Sequence, residues 1–286
     1  DGNWPALGAA AAVAHALGLP PHKIEQAVEL AACQMPMSLY LPIRSGSTAR
    51  NTYLGHAAQL GQSAALSVAS GITTPADAVA EYAQVGLGKL ALPFDESTEF
   101  QILQAYFKPY AAVRHVHYGA LAAHTLHQSI EIENIKRMVL SVYEEATIYC
   151  GNRAPQTPLQ AQFSLSFGVA AMLKWGRLDP WVYKEPQFHN DQVKRLEAML
   201  EVEVNPDWTQ QMLRAAHLTV YLKNGTCQSK TILAVPGDVQ VPFTKEALVA
   251  KFVDYCQGSM SIEQSNAWSS ELLAPNTSHL PLKFWN

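Results

Sequence analysis

The chain has 286 residues, of which 48% are hydrophobic and 15% are charged, and its formal net charge at pH 7 is -4. This length exceeds the usual size of a single hydrophobic core, so two domains are expected. The small negative charge provides no positive field to attract nucleic acid, and no apolar run is long and unbroken enough for a transmembrane helix. Neither nucleic acid nor a membrane is therefore an expected partner.

Cysteine usage points to a reducing compartment. The four cysteines are widely scattered and form no C-x-x-C pair: Cys33, Cys150, Cys227 and Cys256. This spacing argues against a structural zinc site and against a disulfide framework. A cytoplasmic location is predicted.

Small residues dominate the first third of the chain. Residues 6–19 form an alanine-rich segment with little polar surface, which predicts a helix packed on several sides. The apolar spacing of residues 21–35 and 57–70 predicts two further helices, and the turn at 71–75 precedes another over 76–85. Because the first helix needs neighbours, we expect an upstream segment that is either cleaved or supplied by another chain.

The character of the chain changes after residue 93. Branched residues within 130–149 predict a strand, and residues 217–226 predict a strand that enters a hairpin turn at an Asn-Gly pair. Residues 162–175 and 191–200 between them are predicted to be helical, and 245–255 to return to an amphipathic helix.

These patterns predict a fold that is mainly α with an α+β part. An all-helical domain would be interrupted by a smaller α+β lid domain. We expect the first part of the helical domain at 1–103, the lid at 104–237 and the return to the helical domain at 238–286.

The stretch 108–117 predicts an anion site. It contains Lys108, Arg114, His115 and His117, four nitrogen-bearing side chains within ten residues, followed by an apolar segment. Pro109 fixes a turn, so these groups are expected at the entry to a helix, where free N–H groups and the helix dipole favour negative charge. A carboxylate is the simplest ligand for such a site.

Several segments, each weak alone, occur in a specific order. They are residues 8–12 with 17–19, 50–61, 108–110 with Arg114 and His117, 152–165, 224–225, and 236–245 with Lys251 and Phe252. In this order, over nearly the whole chain, they resemble the MmgE/PrpD family. That resemblance implies a lyase-type enzyme with a large helical domain and a smaller lid, normally homodimeric, that needs no metal and no organic cofactor.

Members of that family include 2-methylcitrate dehydratase, cis-aconitate decarboxylase and an amino-dicarboxylate epimerase, which all act at carbon next to a carboxylate. The resemblance implies an active site in the cleft between helical domain and lid. Arg50 would come from one wall and Lys108 with His117 from the other.

Proton transfer next to a carboxylate needs a group that titrates near working pH and cations against the developing negative charge. His117 is the candidate for proton transfer and Lys108 for the catalytic point charge. Arg50, in a place where relatives often carry lysine or arginine, could bind a carboxylate with two parallel hydrogen bonds. Asn51 and Tyr53 could orient the substrate by hydrogen bonding.

Arg114 and His115 are further candidates for substrate binding, with lid packing or a salt bridge as the competing interpretation. His117 itself could be a hydrogen-bonded histidine at a domain junction. The H-x-H spacing of His115 and His117 occurs in metal sites, with His124 or His127 as a further ligand. No acidic or cysteine ligand completes that set, so no metal is predicted.

Three departures from the family pattern leave two functional classes open. Leu121 stands where many relatives have aspartate, Asn3 and Trp4 stand where histidine is common, and the upstream segment with its acidic motif and histidine has no match. The first class is a cofactor-independent lyase or isomerase of a small polycarboxylic acid, catalysing dehydration, decarboxylation or epimerisation. It would act as a homodimer or with a chain that supplies the upstream segment. The second class is a non-catalytic binding or assembly subunit.

Overall fold

The structure, a computed structural model, describes residues 3–88 and 100–274. The chain divides into two compact units, Asp1–Thr98 and Glu99–Asn286. Helices dominate both, and the second unit also contains a four-stranded sheet, which confirms the predicted class of mainly α with an α+β part. The three-part domain division expected from the sequence stays a prediction.

The first unit is built from helices. They are α1 (Pro5–Ala16), α2 (Pro21–Gln34), α3 (Leu41–Ser45), α4 (Tyr53–Ala69) and α5 (Ala78–Leu87), with a 3-10 turn at Thr48–Thr52. The helices predicted over 6–19, 21–35, 57–70 and 76–85 are thereby confirmed, with ends shifted by a few residues.

Small residues let α1 and α4 approach closely. Ala6, Ala10 and Ala14 recur every fourth residue and are fully buried, as helical periodicity requires of one stripe. A Cβ atom on Gly61 of α4 would lie 2.5 Å from the carbonyl oxygen of Ala6. Helix α1 packs against both α2 and α4, but on its opposite side Gly8 and Ala12 are exposed within the described part of the unit.

The second unit combines helices with a sheet. Its helices are α6 (Arg114–His127), α7 (Glu144–Cys150), α8 (Pro158–Gln162), α9 (Leu165–Trp175), α10 (Asp191–Met199), α11 (Pro206–Gln210), α12 (Lys245–Cys256) and α13 (Ile262–Leu272). Its strands are β1 (Ile135–Val142), β2 (Leu200–Val204), β3 (Ala216–Leu222) and β4 (Cys227–Ile232).

The sheet has the order β2-β1-β3-β4. Strand β1 pairs in parallel with β2 and antiparallel with β3, and β3 pairs antiparallel with β4 through the predicted hairpin. Met138, Leu140 and Val142 alternate along β1 and are buried. Helix α6 packs close to this face, because a Cβ atom on Gly119 would lie 3.2 Å from the Leu140 side chain.

The strand expected within 130–149 is shorter than that range. It ends at Val142, and the chain then forms α7, whose first turn carries Glu144 and Glu145. Acidic side chains at a helix N-terminus interact favourably with the helix dipole, and this local preference ends the strand. Strand β2 was not predicted, because it follows α10 directly and becomes a strand by pairing with β1.

None of the helices within residues 3–88 and 100–274 combines the length and apolar character that crossing a bilayer requires.

The α1–α4 contact predicts opposite effects for two glycines of the same helix. Gly61→Ala should lower the free energy of unfolding by about 3 kcal/mol, because the new methyl group meets the α1 backbone. Gly55→Ala, with no atom within 4 Å of the new Cβ, should raise it by up to about 1 kcal/mol. Chemical denaturation followed by helical circular dichroism measures both, and equal effects would contradict the close packing.

Candidate functional site

The predicted anion segment leads into α6, which begins at Arg114. Three backbone hydrogen bonds hold it: Phe107 N–H donates to Gly237 O at 3.0 Å, Ala111 N–H to Leu178 O at 2.9 Å and Val113 N–H to Gln162 O at 2.9 Å. The expectation that the cations lie at an irregular entry to a helix is confirmed for Lys108, which is exposed in this segment.

His117 lies one turn into α6 and is completely buried. Its Nε2 is 3.1 Å from the carbonyl oxygen of Ala112. Because a carbonyl oxygen only accepts, Nε2 carries the proton and Nδ1 keeps a lone pair. Within the described residues, Nδ1 is buried without a hydrogen-bond partner. His117 therefore presents an unused proton acceptor.

Burial keeps His117 neutral. Desolvation lowers its pKa from 6.5 to about 4, and the hydrogen bond to Ala112 opposes this shift. The charges of Lys108 and Lys251 lower the pKa further, and the charge of Asp238 raises it. Tyr110 packs edge-on against the imidazole with ring centroids 5.6 Å apart, and burial raises the pKa of this tyrosine to about 12. A neutral imidazole thus lies within the field of two ammonium groups.

Asp238 joins the entry of α6 to a distant loop. Its carboxylate is 2% exposed and accepts from Arg114 Nη2 at 2.7 Å, from the Tyr118 hydroxyl at 3.1 Å and from the Val235 N–H at 3.0 Å. The three donors compensate the free-energy cost of burying the negative charge of this carboxylate. The guanidinium of Arg114 also lies 3.9 Å from the ring centre of Tyr106.

Gly237 allows the two segments to meet. Its φ is +93°, and a Cβ atom there would lie 2.1 Å from the carbonyl oxygen of Phe107. Only glycine suits both the backbone conformation and the approach. The loop that carries Asp238 therefore lies against the residue before Lys108.

His115 has different surroundings from His117. Its Nδ1 is 2.6 Å from the Tyr143 hydroxyl, and its ring stacks on Tyr149 with centroids 5.6 Å apart. On a helix, residues two apart point in directions about 200° apart, so His115 and His117 do not share a face. Among the described residues, groups of three or more histidine, cysteine or acidic side chains that could hold a metal ion do not occur.

Lys251 reaches the anion segment from α12. Its Nζ donates to the carbonyl oxygen of Lys108, and it lies 5.2 Å from the ring centre of Tyr255. Burial lowers the pKa of Lys251. The two lysines are 143 residues apart in sequence, so only the fold brings them together.

The remaining candidates lie in the first unit. Arg50 is half-buried and Asn51 exposed in the 3-10 turn, and Tyr53 opens α4 and donates its hydroxyl to Leu39 O at 3.0 Å. A pocket of about 270 Å³ includes Tyr53, together with Asn3, Ala6, Pro36, Met37, Ser38, Leu39, Thr52, His56, Ala57 and Leu60. Within this unit, the pocket lining includes Tyr53 but neither Arg50 nor Asn51.

The structure therefore groups Lys108, Arg114 and His117 in the second unit and places His115 on another face of α6. The expected convergence of this group with Arg50 stays a prediction. The sequence did not indicate the roles of Asp238 and Lys251. Both lie in segments that carry the family resemblance, but no pattern in the sequence signals their partners.

Most of the second unit matches a known protein family. Residues 110–273 match the MmgE/PrpD C-terminal domain. The match covers more than half of the chain and includes α6, the sheet, Asp238 and Lys251, so the chain belongs to the MmgE/PrpD family. No match to the chain was found among curated proteins.

The Asp238 contacts predict a large effect of neutralising this side chain. Asp238→Asn should lower the free energy of unfolding by about 3 kcal/mol, because Arg114 would be left partly buried without its carboxylate. The control is Glu145→Gln, which breaks the half-exposed pair with Arg214 at 3.5 Å and should cost no more than about 0.5 kcal/mol. Chemical denaturation measures both, and equal costs would rule out the proposed importance of Asp238.

The low pKa of His117 predicts a pH-dependent stability. The unfolded chain binds the proton below pH 6.5 and the folded chain only below about 4, so stability is full above 6.5 and falls as the pH decreases toward 4. Between pH 7 and pH 5 the histidine should account for about 2 kcal/mol.

His117→Gln should remove this part of the pH dependence, whereas His124→Gln, at an exposed position of the same helix, should retain it. Unfolding titrations of the three proteins at both pH values test the difference. An identical pH dependence in wild type and His117→Gln would show that His117 titrates normally.

Proposed function

We propose that the chain is a cofactor-independent lyase or isomerase that acts next to a carboxylate of a small polycarboxylic acid. The observation that supports this proposal best is that Nδ1 of His117 has no hydrogen-bond partner among the described residues and is a neutral proton acceptor in the field of Lys108 and Lys251. Family membership supports the same class of chemistry.

Removal of a proton next to a carboxylate leaves negative charge on the substrate. Lys108 would stabilise this charge, and Nδ1 of His117 would accept the proton. A pKa near 4 makes His117 a weak base in the unliganded chain. A bound anion would raise that pKa, because a negative charge favours the imidazolium form. Substrate binding would thus bring the pKa of His117 closer to the working pH.

Arg50 is proposed to bind a carboxylate through its guanidinium, with Asn51 and Tyr53 orienting the substrate. Arg114 and His115 are proposed as supporting binding residues. The hydrogen bonds of both give them a structural task as well, because Arg114 pairs with Asp238 and His115 with Tyr143. Dehydration and epimerisation would reach a carbanion-like stage by loss of the proton, whereas decarboxylation would reach it by loss of carbon dioxide and would then take up a proton. The proposal includes all three reactions.

A second candidate function is a non-catalytic binding or assembly subunit. The observation that favours it is the complete burial of His117. A buried neutral histidine that donates to a backbone carbonyl is a stable core element without any catalytic task. The two functions differ in whether a bond at the carbon next to the carboxylate is ever broken.

Proton NMR in D₂O distinguishes them, because it detects both product formation and exchange of hydrogens next to a carboxylate. With citrate and cis-aconitate as probes, the wild type should convert or exchange at least one of them. His117→Gln should slow this by at least about a hundredfold, because it removes the proton acceptor. Lys108→Met should also slow it, and Lys108→Arg should retain part of the rate.

Lys136→Met, a charge change at an exposed position of β1, serves as the control and should leave the rate unchanged. An undiminished rate in His117→Gln would disprove its role in proton transfer. A wild type that binds these acids without conversion or exchange would support the non-catalytic candidate.

A further inference from the structure

Lys251 is a half-buried ammonium group that has no acidic partner within the described part of the chain. Among residues 3–88 and 100–274, no carboxylate oxygen lies within 4.0 Å of the Lys251 Nζ, the distance limit for an ion pair. Even Asp254, one turn away on α12, forms no such pair. Removing an ammonium group from water without a compensating anion is unfavourable.

The contacts of Lys251 leave donors available. An ammonium group has three N–H donors, and the carbonyl oxygen of Lys108 accepts from one. The face of Tyr255, 5.2 Å away, attracts the positive charge but accepts no strong hydrogen bond. The contact with Lys108 therefore holds Nζ in place beside the anion segment without satisfying it.

The position of Lys251 relates it to His117. Its Nζ contacts the backbone of Lys108, in the segment that leads into the helix of His117, and the charges of both lysines lower the pKa of His117. Arg114, the third cation of this region, is already paired with Asp238. Lys251 thus adds a positive charge that reaches the candidate site from a separate helix.

We propose that Lys251 is a further anion-binding residue of this site, and that it takes a carboxylate of its own, separate from the one that Lys108 takes. This inference rests on the proposed function for the location of the site. It differs from a purely structural role, in which Lys251 only fixes the backbone of Lys108.

Calorimetric titration of the full 286-residue chain with succinate and with monomethyl succinate tests the proposal. The two probes have nearly the same shape, but the ester has lost one negative charge. The wild type should bind succinate about tenfold more tightly than the ester. Lys251→Met should weaken succinate binding and bring the ratio of the two affinities close to one. Lys251→Arg should retain most of the preference for succinate over the ester.

The control is Lys245→Met, which removes the same charge from an exposed position of α12 and should leave both affinities unchanged. Circular dichroism verifies that each variant is folded. An unchanged preference in folded Lys251→Met would assign Lys251 a structural role only. Equal affinity of the wild type for both probes, or no binding of succinate, would also overturn the proposal.

The same proteins separate this inference from the proposed function. If the preference for succinate depends on Lys251 but the wild type never exchanges or converts an acid, Lys251 is an anion-binding residue and the lyase proposal fails. If the wild type is active but does not distinguish succinate from its ester, the lyase proposal stands and Lys251 has no carboxylate of its own.

Discussion

The buried carboxylate of Asp238 holds the candidate site of the second unit together. It accepts hydrogen bonds from the side chains of Arg114 and Tyr118 on α6 and from the backbone of its own loop. The adjoining Gly237 lets that loop meet the backbone of Phe107. Because three donors share one carboxylate in a place with little water, the interaction is strongly directional. The start of α6, and with it Lys108 and His117, is thereby positioned.

The electrostatics of His117 follow from this positioning. Its ring is surrounded by protein, so the neutral form is favoured. The carbonyl of Ala112 selects the tautomer in which Nδ1 carries no proton. The charges of Lys108 and Lys251 lower the pKa of His117 further, and the charge of Asp238 opposes them. A site that is unfavourable for a proton and rich in positive charge is suited to an anion, whether that anion is transformed or only bound.

Local periodicity was enough to predict most helices, and the Asn-Gly pair to predict the β3–β4 hairpin, because these depend on residues close in sequence. The alanine stripe of α1 likewise predicts a buried face. Strand β2 was missed because it depends on pairing between distant segments. The end of β1 was missed although the acidic start of α7 is a local signal. The exposure of Gly8 and Ala12 on α1 also depends on what surrounds this helix in the fold.

The sequence by itself determined the class of fold and the family to which the chain belongs, and it predicted the anion segment at 108–117. These follow from residue types at short spacing and from the order of motifs along the chain. Only the tertiary structure decided that His115 and His117 face apart, that Arg114 is paired with Asp238 and that Lys251 reaches Lys108. These partners are separated by up to 143 residues, and no local pattern encodes a contact that forms only when distant helices and loops pack together.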